Sequence, residues 1–168
     1  MQRSAEELDR LIAERGDHLM RTAVLLAGSR EAGEDLLQAA LERLVRRWRQ
    51  IEGDPEAYLR RILVNLAKDG FRRQGRWREK LPLLRASAPA YDDPIAEADL
   101  RDALVRGLLQ LPPRQRAVLV LRYWEQLTEA ETAAELGWPE GTVKSAASRG
   151  LRRLRELALT WDNNGTRI

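Results

Sequence analysis

The 168-residue chain contains no cysteine, a single histidine, one phenylalanine and three tyrosines. The missing thiols exclude disulfides and thiolate metal sites. The lone imidazole, His18, has no companion for a metal centre or a catalytic triad and reads as a surface residue of a helix. No glycine-rich phosphate cradle occurs, so no catalytic constellation can be assembled and an enzyme is not expected; neither is a metal or a cofactor. No apolar run approaches the length of a membrane span, and the first residues lead into no signal-peptide core, which points to a cytoplasmic protein without membrane insertion. Runs of β-branched residues are also absent. Leu, Ala, Arg and Glu dominate instead, and an all-α fold with aliphatic helix packing follows.

Charge is abundant and uneven. Lys and Arg number 29 against 26 Asp and Glu, a net charge of +3. Both ends of the chain are basic, whereas residues 81–100 are acidic. Within the first part, the stretch 60–80 holds eight basic residues against Asp69 and Glu79. Two basic clusters separated by an acidic stretch suggest two nucleic-acid-facing surfaces on two domains.

The strongest local pattern lies near the end. Thr128 and Glu131 have the spacing of a capping box at the start of a short helix. Gly137 supplies a left-handed stop, and Pro139 suits the first turn of the next helix. Ala133 is small where the two helices would cross, and Leu136 and Val143 would pin them together. This is the logic of a helix-turn-helix, whose second helix enters a DNA major groove. In that helix Val143, Ala147, Leu151, Leu154 and Ala158 form the expected inward stripe. Lys144, Ser145, Ser148, Arg149 and Arg152 fall outside it, in a segment with five basic residues and no acidic one between Gly141 and Arg155.

Earlier, a first helix is expected from Ala5 to about Ala27, with Leu8, Leu11, Ile12, Leu19, Ala23 and Leu26 inward, a possible break at Gly16 and an end at Gly28. A second runs from about Ser29 to Trp48 on a stripe of Leu37, Leu41, Leu44 and Trp48. Asp35, Gln38 and Glu42 share another flank of it and could present a polar surface to a partner. Asp54 and Pro55 then cap and open a third helix with Tyr58, Leu59, Ile62, Leu63, Leu66 and Phe71 on its buried side. Away from that side, Arg61, Asn65, Lys68, Arg72 and Arg76 recur at spacings of three and four. Cations there could hold phosphates while the amide meets a base edge. Periodicity fails over residues 81–95, where three prolines, serine and aspartates read as a flexible, exposed linker. About fourteen extended residues reach roughly 45–50 Å, which spans on the order of a dozen base pairs at about 3.4 Å each. A helix ending near Leu111 and another over residues 114–126 complete the scaffold, and residues 161–168 form a tail too short for a further domain.

Four motifs in this order resemble the extracytoplasmic-function (ECF, group 4) sigma factors of bacterial RNA polymerase, in wording closest to the short SigE-like branch of actinobacteria. They are the segments opening Arg21-Thr-Ala-Val-Leu-Leu-Ala-Gly, Asp54-Pro-Glu-Ala-Tyr-Leu-Arg-Arg and Leu111-Pro-Pro-Arg-Gln-Arg, and the helix-turn-helix itself. The resemblance implies sigma domain 2 at residues 1–80, a linker at 81–95 and sigma domain 4 at 96–160. It implies a factor that binds core RNA polymerase, recognises −35 and −10 promoter elements and helps melt the promoter without hydrolysing ATP. Asp35 and Gln38 match residues that dock on the β′ clamp helices, although the family's usual acidic residue after that glutamine is Ala39 here. Further implied contacts are the β flap and an anti-sigma factor. Asn65 matches a residue that helps hold an unstacked −10 base, with Arg61, Lys68, Arg72 and Arg76 beside it on phosphates. Lys144, Ser145, Ser148 and Arg149 match positions reading the −35 element, and Thr142 and Arg152 its phosphates. The family often carries arginine where this chain has Ala146 and a large residue near Ser148, which shifts the reading onto Lys144 and Arg149. The loop before Asp54 is short beside many relatives. The competing expectation is a two-domain regulator that dimerises through its first three helices and binds duplex DNA without polymerase.

Overall fold

The computed structural model describes residues 3–80 and 99–159. The chain divides into two compact units, residues 1–82 and 83–168. Every regular element among the described residues is helical. The stretch read as a linker and the tail lie outside the described residues.

The first unit is built from α1 (Ala5–Ala27), α2 (Arg30–Arg47) and α3 (Pro55–Lys80). Local chemistry sets their ends. Ser4 and Glu7 form a reciprocal capping box at the start of α1, and Gly28, in the left-handed region at φ 96°, ends it by donating to the Val24 carbonyl at 2.8 Å. Gly16 does not interrupt α1, which is continuous. Ser29 caps α2 through the Ala32 amide. Asp54 caps α3, its Oδ1 accepting from the Glu56 amide at 2.9 Å, with Pro55 at the first helical position.

The core of this unit comprises Leu19, Ala23 and Leu26 from α1, Leu37, Ala40 and Leu44 from α2, and Leu59, Leu63, Val64 and Ala67 from α3. Val64 and Ala67 extend the expected buried side of α3, whereas Tyr58, Ile62 and Leu66 are only half-buried. Ile12, expected inward, is 41% exposed. The fully buried residues of α1 begin only at Leu19. Gly33 lets α2 approach α1 closely, since a Cβ there would lie 2.6 Å from the Val24 Cα. Thr22 is fully buried and donates to the His18 carbonyl at 3.0 Å. Trp48, in a short 3-10 turn after α2, is buried and donates from Nε1 to the Ser4 carbonyl at 2.6 Å.

The second unit contains α4 (Asp99–Leu109), α5 (Pro113–Leu119), α6 (Glu129–Leu136) and α7 (Glu140–Ala158). The sequence predicted one helix through residue 126, but the α-helical ladder stops at Leu119 and widens to a π-helical turn over Val120–Trp124. Glu125 donates to the Val120 carbonyl at 2.9 Å, one residue beyond α-helical reach, and Leu127 donates to that of Leu121 at 3.0 Å. Gln126 takes up the change of direction at φ 56°. The six consecutive residues 116–121 are all buried, which no amphipathic helix would show. Arg116 is among them. Its guanidinium donates to the Leu111 carbonyl at 3.1 Å, tying the α4–α5 turn, and burial pushes its pKa down to about 10. It remains a cation at neutral pH.

Candidate nucleic-acid interface

The helix-turn-helix forms as its capping chemistry dictates. Thr128 Oγ1 accepts from the Glu131 amide at 3.1 Å, and Glu131 Oε2 accepts from the Thr128 amide at 2.7 Å. Gly137, at φ 65° and ψ 36°, is the left-handed stop. Pro139 sits one residue earlier than expected, at the N-cap, where its carbonyl accepts from the amides of Thr142 and Val143. Arg114 lies over the Trp138 ring at 5.2 Å, fastening the turn to α5.

On α7 the residues Thr142, Lys144, Ser145, Ser148, Arg149 and Arg152 are all exposed. They occupy one side of the helix, opposite Val143, Ala146, Ala147 and Gly150, which are buried. The buried stripe therefore differs from the expected one. Leu151 and Leu154 are half-buried and Ala158 is exposed, whereas Ala146 is only 8% exposed. Small residues at 146 and 150 let α7 close onto α5: a Cβ on Gly150 would lie 3.0 Å from Leu119 Cδ1. Ala146 thus faces the core and not the reading side. Among the residues expected to meet DNA, the long side chains on this outward face are Lys144, Arg149 and Arg152, with two serines between them.

In the first unit, α3 carries Arg61, Asn65 and Arg72 exposed and Lys68 half-buried on its outward side. Arg76 lies further along α3, and its side chain falls outside the described residues. On α2, Asp35 and Gln38 are exposed. Gln38 borders a shallow, largely apolar depression lined by Met20, Leu37, Leu41 and Val45, and Val45 is 53% exposed. The polar flank foreseen from spacing thus adjoins an apolar one that the sequence reading did not identify; an exposed valine one turn past Leu41 was its signal.

A second feature was also missed. Arg43, Arg46 and Arg47 at the end of α2 face Tyr58 and Ile62 at the start of α3 across a groove of about 440 Å³. Arginines in the last turn of α2 complement its dipole, and Tyr58 was expected on the buried side of α3. A tyrosine on the flank of an apolar stripe, beside a basic helix end, was the available signal.

Among the described residues no group of acidic, histidine or cysteine side chains could hold a metal ion, and no helix is long and apolar enough to cross a membrane.

A three-helix unit with a basic outward stripe, followed by a helix-turn-helix unit whose second helix carries exposed cations, has the architecture of a DNA-binding protein. Known proteins sharpen that class. Residues 11–77 match Sigma-70 region 2 and residues 101–154 match Sigma-70, region 4. The chain is 40% identical over 158 residues to the RNA polymerase sigma-E factor of Streptomyces coelicolor, covering 93% of this chain and 88% of that protein. It is 33% identical over 167 residues to the ECF RNA polymerase sigma factor SigM of Mycobacterium tuberculosis, covering 95% and 81%. The sigma factor RpoE of Bartonella quintana, solved in complex with the anti-sigma factor NepR, superposes with a TM-score of 0.72 at 25% identity over 92% of this chain and 98% of that one. The chain belongs to the sigma-70 family of RNA polymerase sigma factors, in its ECF group.

Proposed function

We propose that this chain directs core RNA polymerase to promoters with two separated elements and helps open them. The observation that carries the reading is the pairing of two outward cationic faces on two sigma units: Lys144, Arg149 and Arg152 on α7, and Arg61, Asn65, Lys68 and Arg72 on α3. In this reading residues 1–80 act as sigma domain 2, 96–160 as sigma domain 4, and 81–95 as the connection between them. Lys144, Ser145, Ser148 and Arg149 meet base edges of the −35 element, while Thr142 and Arg152 hold its phosphates. Asn65 takes an unstacked base of the −10 element. Arg61, Lys68, Arg72 and Arg76 neutralise the surrounding backbone. Extruding a base costs a few kcal/mol, offset by the pocket and by backbone electrostatics. Promoter opening then needs no hydrolysis by this chain, which carries out no catalysis of its own. Asp35 and Gln38 dock on the β′ clamp helices, and the second unit contacts the β flap. Because RpoE of Bartonella quintana was solved with the anti-sigma factor NepR, an anti-sigma partner is proposed here too. The site of action is the cytoplasm, at the nucleoid.

A gel-shift experiment with and without core polymerase tests this. The expected result is specific promoter binding only in the presence of core polymerase. Strong specific binding by the isolated chain would favour a duplex-binding regulator and overturn the proposal.

A further inference from the structure

The apolar depression beside Gln38 leaves hydrophobic surface open on a charged helix. Val45 is 53% exposed, Leu41 and Met20 are half-buried, and the depression measures about 600 Å³. Glu34 borders one end of it and Arg46 the other, and both are exposed. An apolar strip rimmed by charge marks a surface that meets a protein. Glu34, Gln38, Leu41 and Val45 follow one another at spacings of three and four, so they form a single ridge along α2.

The charges along α2 run from negative to positive. Glu31, Glu34 and Asp35 stand in its first two turns, and Arg43, Arg46 and Arg47 in its last two. Glu34 accepts from Arg30 at 2.9 Å, with both side chains about half exposed, and Arg46 reaches Glu42 only at 3.9 Å. Exposed pairs of this kind contribute little. Neither contact fixes its carboxylate or its guanidinium against a new partner.

Such a ridge is complementary to a second copy of itself, in one orientation only. With α2 set antiparallel to its copy about a two-fold axis between Ala39 and Ala40, Glu34 lies beside Val45 and Arg46 of the second copy. Gln38 then lies beside Leu41 and Glu42 of the second copy. Glu34 and Arg46 are 12 positions apart on the helix, or about 18 Å, so two ion pairs bracket one continuous apolar contact. Every contact occurs twice, as a closed two-fold pair requires. Parallel pairing would instead oppose Glu34 to Glu34 and Arg46 to Arg46. One helix ridge on each side makes a small contact, so the pair is weak and reversible.

We propose that the free chain pairs with a second copy of itself through the α2 ridge, Glu34 of each copy against Arg46 of the other. The pairing covers Gln38 and lies along the edge of Asp35, so a paired chain does not dock on polymerase. This last step rests on the reading of those two residues as the polymerase contact. A high concentration of free factor then stores the chain in an inactive pair, which core polymerase draws apart by mass action.

Sedimentation velocity of the full chain without polymerase, across the micromolar range, reads the pairing directly. The expected result is a monomer–dimer equilibrium that weakens as salt is added. Glu34→Lys and Arg46→Glu should each raise the dimer dissociation constant by roughly five- to thirtyfold, the range for two exposed ion pairs lost together. The double variant Glu34→Lys/Arg46→Glu, which exchanges the charges, should pair as the parent does. Val45→Asp should leave a monomer that melts as the parent does at low concentration, because that side chain already faces solvent. A monomer at every concentration, or a dimer that none of these variants weakens, would overturn the proposal. A double variant weaker than either single one would overturn the antiparallel arrangement. Core polymerase titrated into the fluorophore-labelled pair should separate it into one chain per polymerase. Polymerase that binds the intact pair would overturn the exclusion. Polymerase that binds neither pair nor monomer would overturn the reading of the chain as a polymerase subunit, while a dimer seen by sedimentation would still support the pairing.

Discussion

Replacing Gly33 by alanine should destabilise the first unit by about 2 kcal/mol, against the direction that helix propensity alone dictates. Alanine in place of a helical glycine gains up to about 1 kcal/mol. At Gly33, however, the new Cβ would lie 2.6 Å from the Val24 Cα and 2.7 Å from both its N and Cγ2. Comfortable carbon contacts begin near 3.5 Å. Two of the three atoms are backbone, in the middle of the buried run 22–26 of α1, so relief requires the two helices to move apart. Overpacking costs about 1–3 kcal/mol, and a clash with backbone belongs at the upper end. The net loss of about 2 kcal/mol corresponds to a fall in Tm of roughly 8–16 °C for a domain of this size. Gly70→Ala on α3 is the control, because nothing lies within 4 Å of its Cβ position. It should raise Tm by up to about 8 °C. Calorimetry or circular-dichroism melting of the full chain reads both, and only the transition of the first unit should move. An unchanged or raised Tm for Gly33→Ala would refute the close approach of α1 and α2.

Arg149→Ala should relax base preference at one −35 position by about 1–3 kcal/mol. Arg152→Ala should weaken all sequences alike and reduce the salt slope by about 0.9. Competition binding of holoenzyme to single-base promoter variants distinguishes them, and identical profiles would defeat the division between base and phosphate contacts. Asp35→Ala should weaken association with core polymerase, as measured by co-purification; undiminished recovery would take Asp35 out of that interface. Arg3 Nε donates to the Ile51 carbonyl at 3.2 Å, and its Nη2 donates to that of Gly53, in the connection between α2 and α3. Arg3→Ala should therefore speed amide exchange in residues 48–53 while the buried segments of α1 to α3 keep their protection. Unaltered exchange there would show that Arg3 does not hold the connection.

What the sequence disclosed was mostly what local hydrogen bonding and periodicity decide. Both ends of α1, the start of α3, the capping box at Thr128 and the stop at Gly137 follow from hydrogen bonds made within a few residues along the chain; the capping box at Ser4 was there to be read in the same way. The outward placement of Asn65, Lys144 and Arg149 follows from helical spacing. Features that depend on distant partners were not legible. The buried stripe of α7 turned toward Ala146 and Gly150 because Leu119 of α5 packs there. The π-helical turn at Val120–Trp124 arises where a continuous buried run must stay inside while the backbone changes direction. The groove against Tyr58 and the Arg3 clasp join residues 11 to 50 positions apart, beyond the reach of periodicity.

The most direct test of the account is run-off transcription with purified core polymerase on genomic fragments, with and without this chain, mapping every start. The account predicts transcripts that require the chain and begin downstream of two elements at a fixed spacing, and that are lost when either element is changed. No transcript above core polymerase alone, with the isolated chain binding duplex sites tightly, would contradict it.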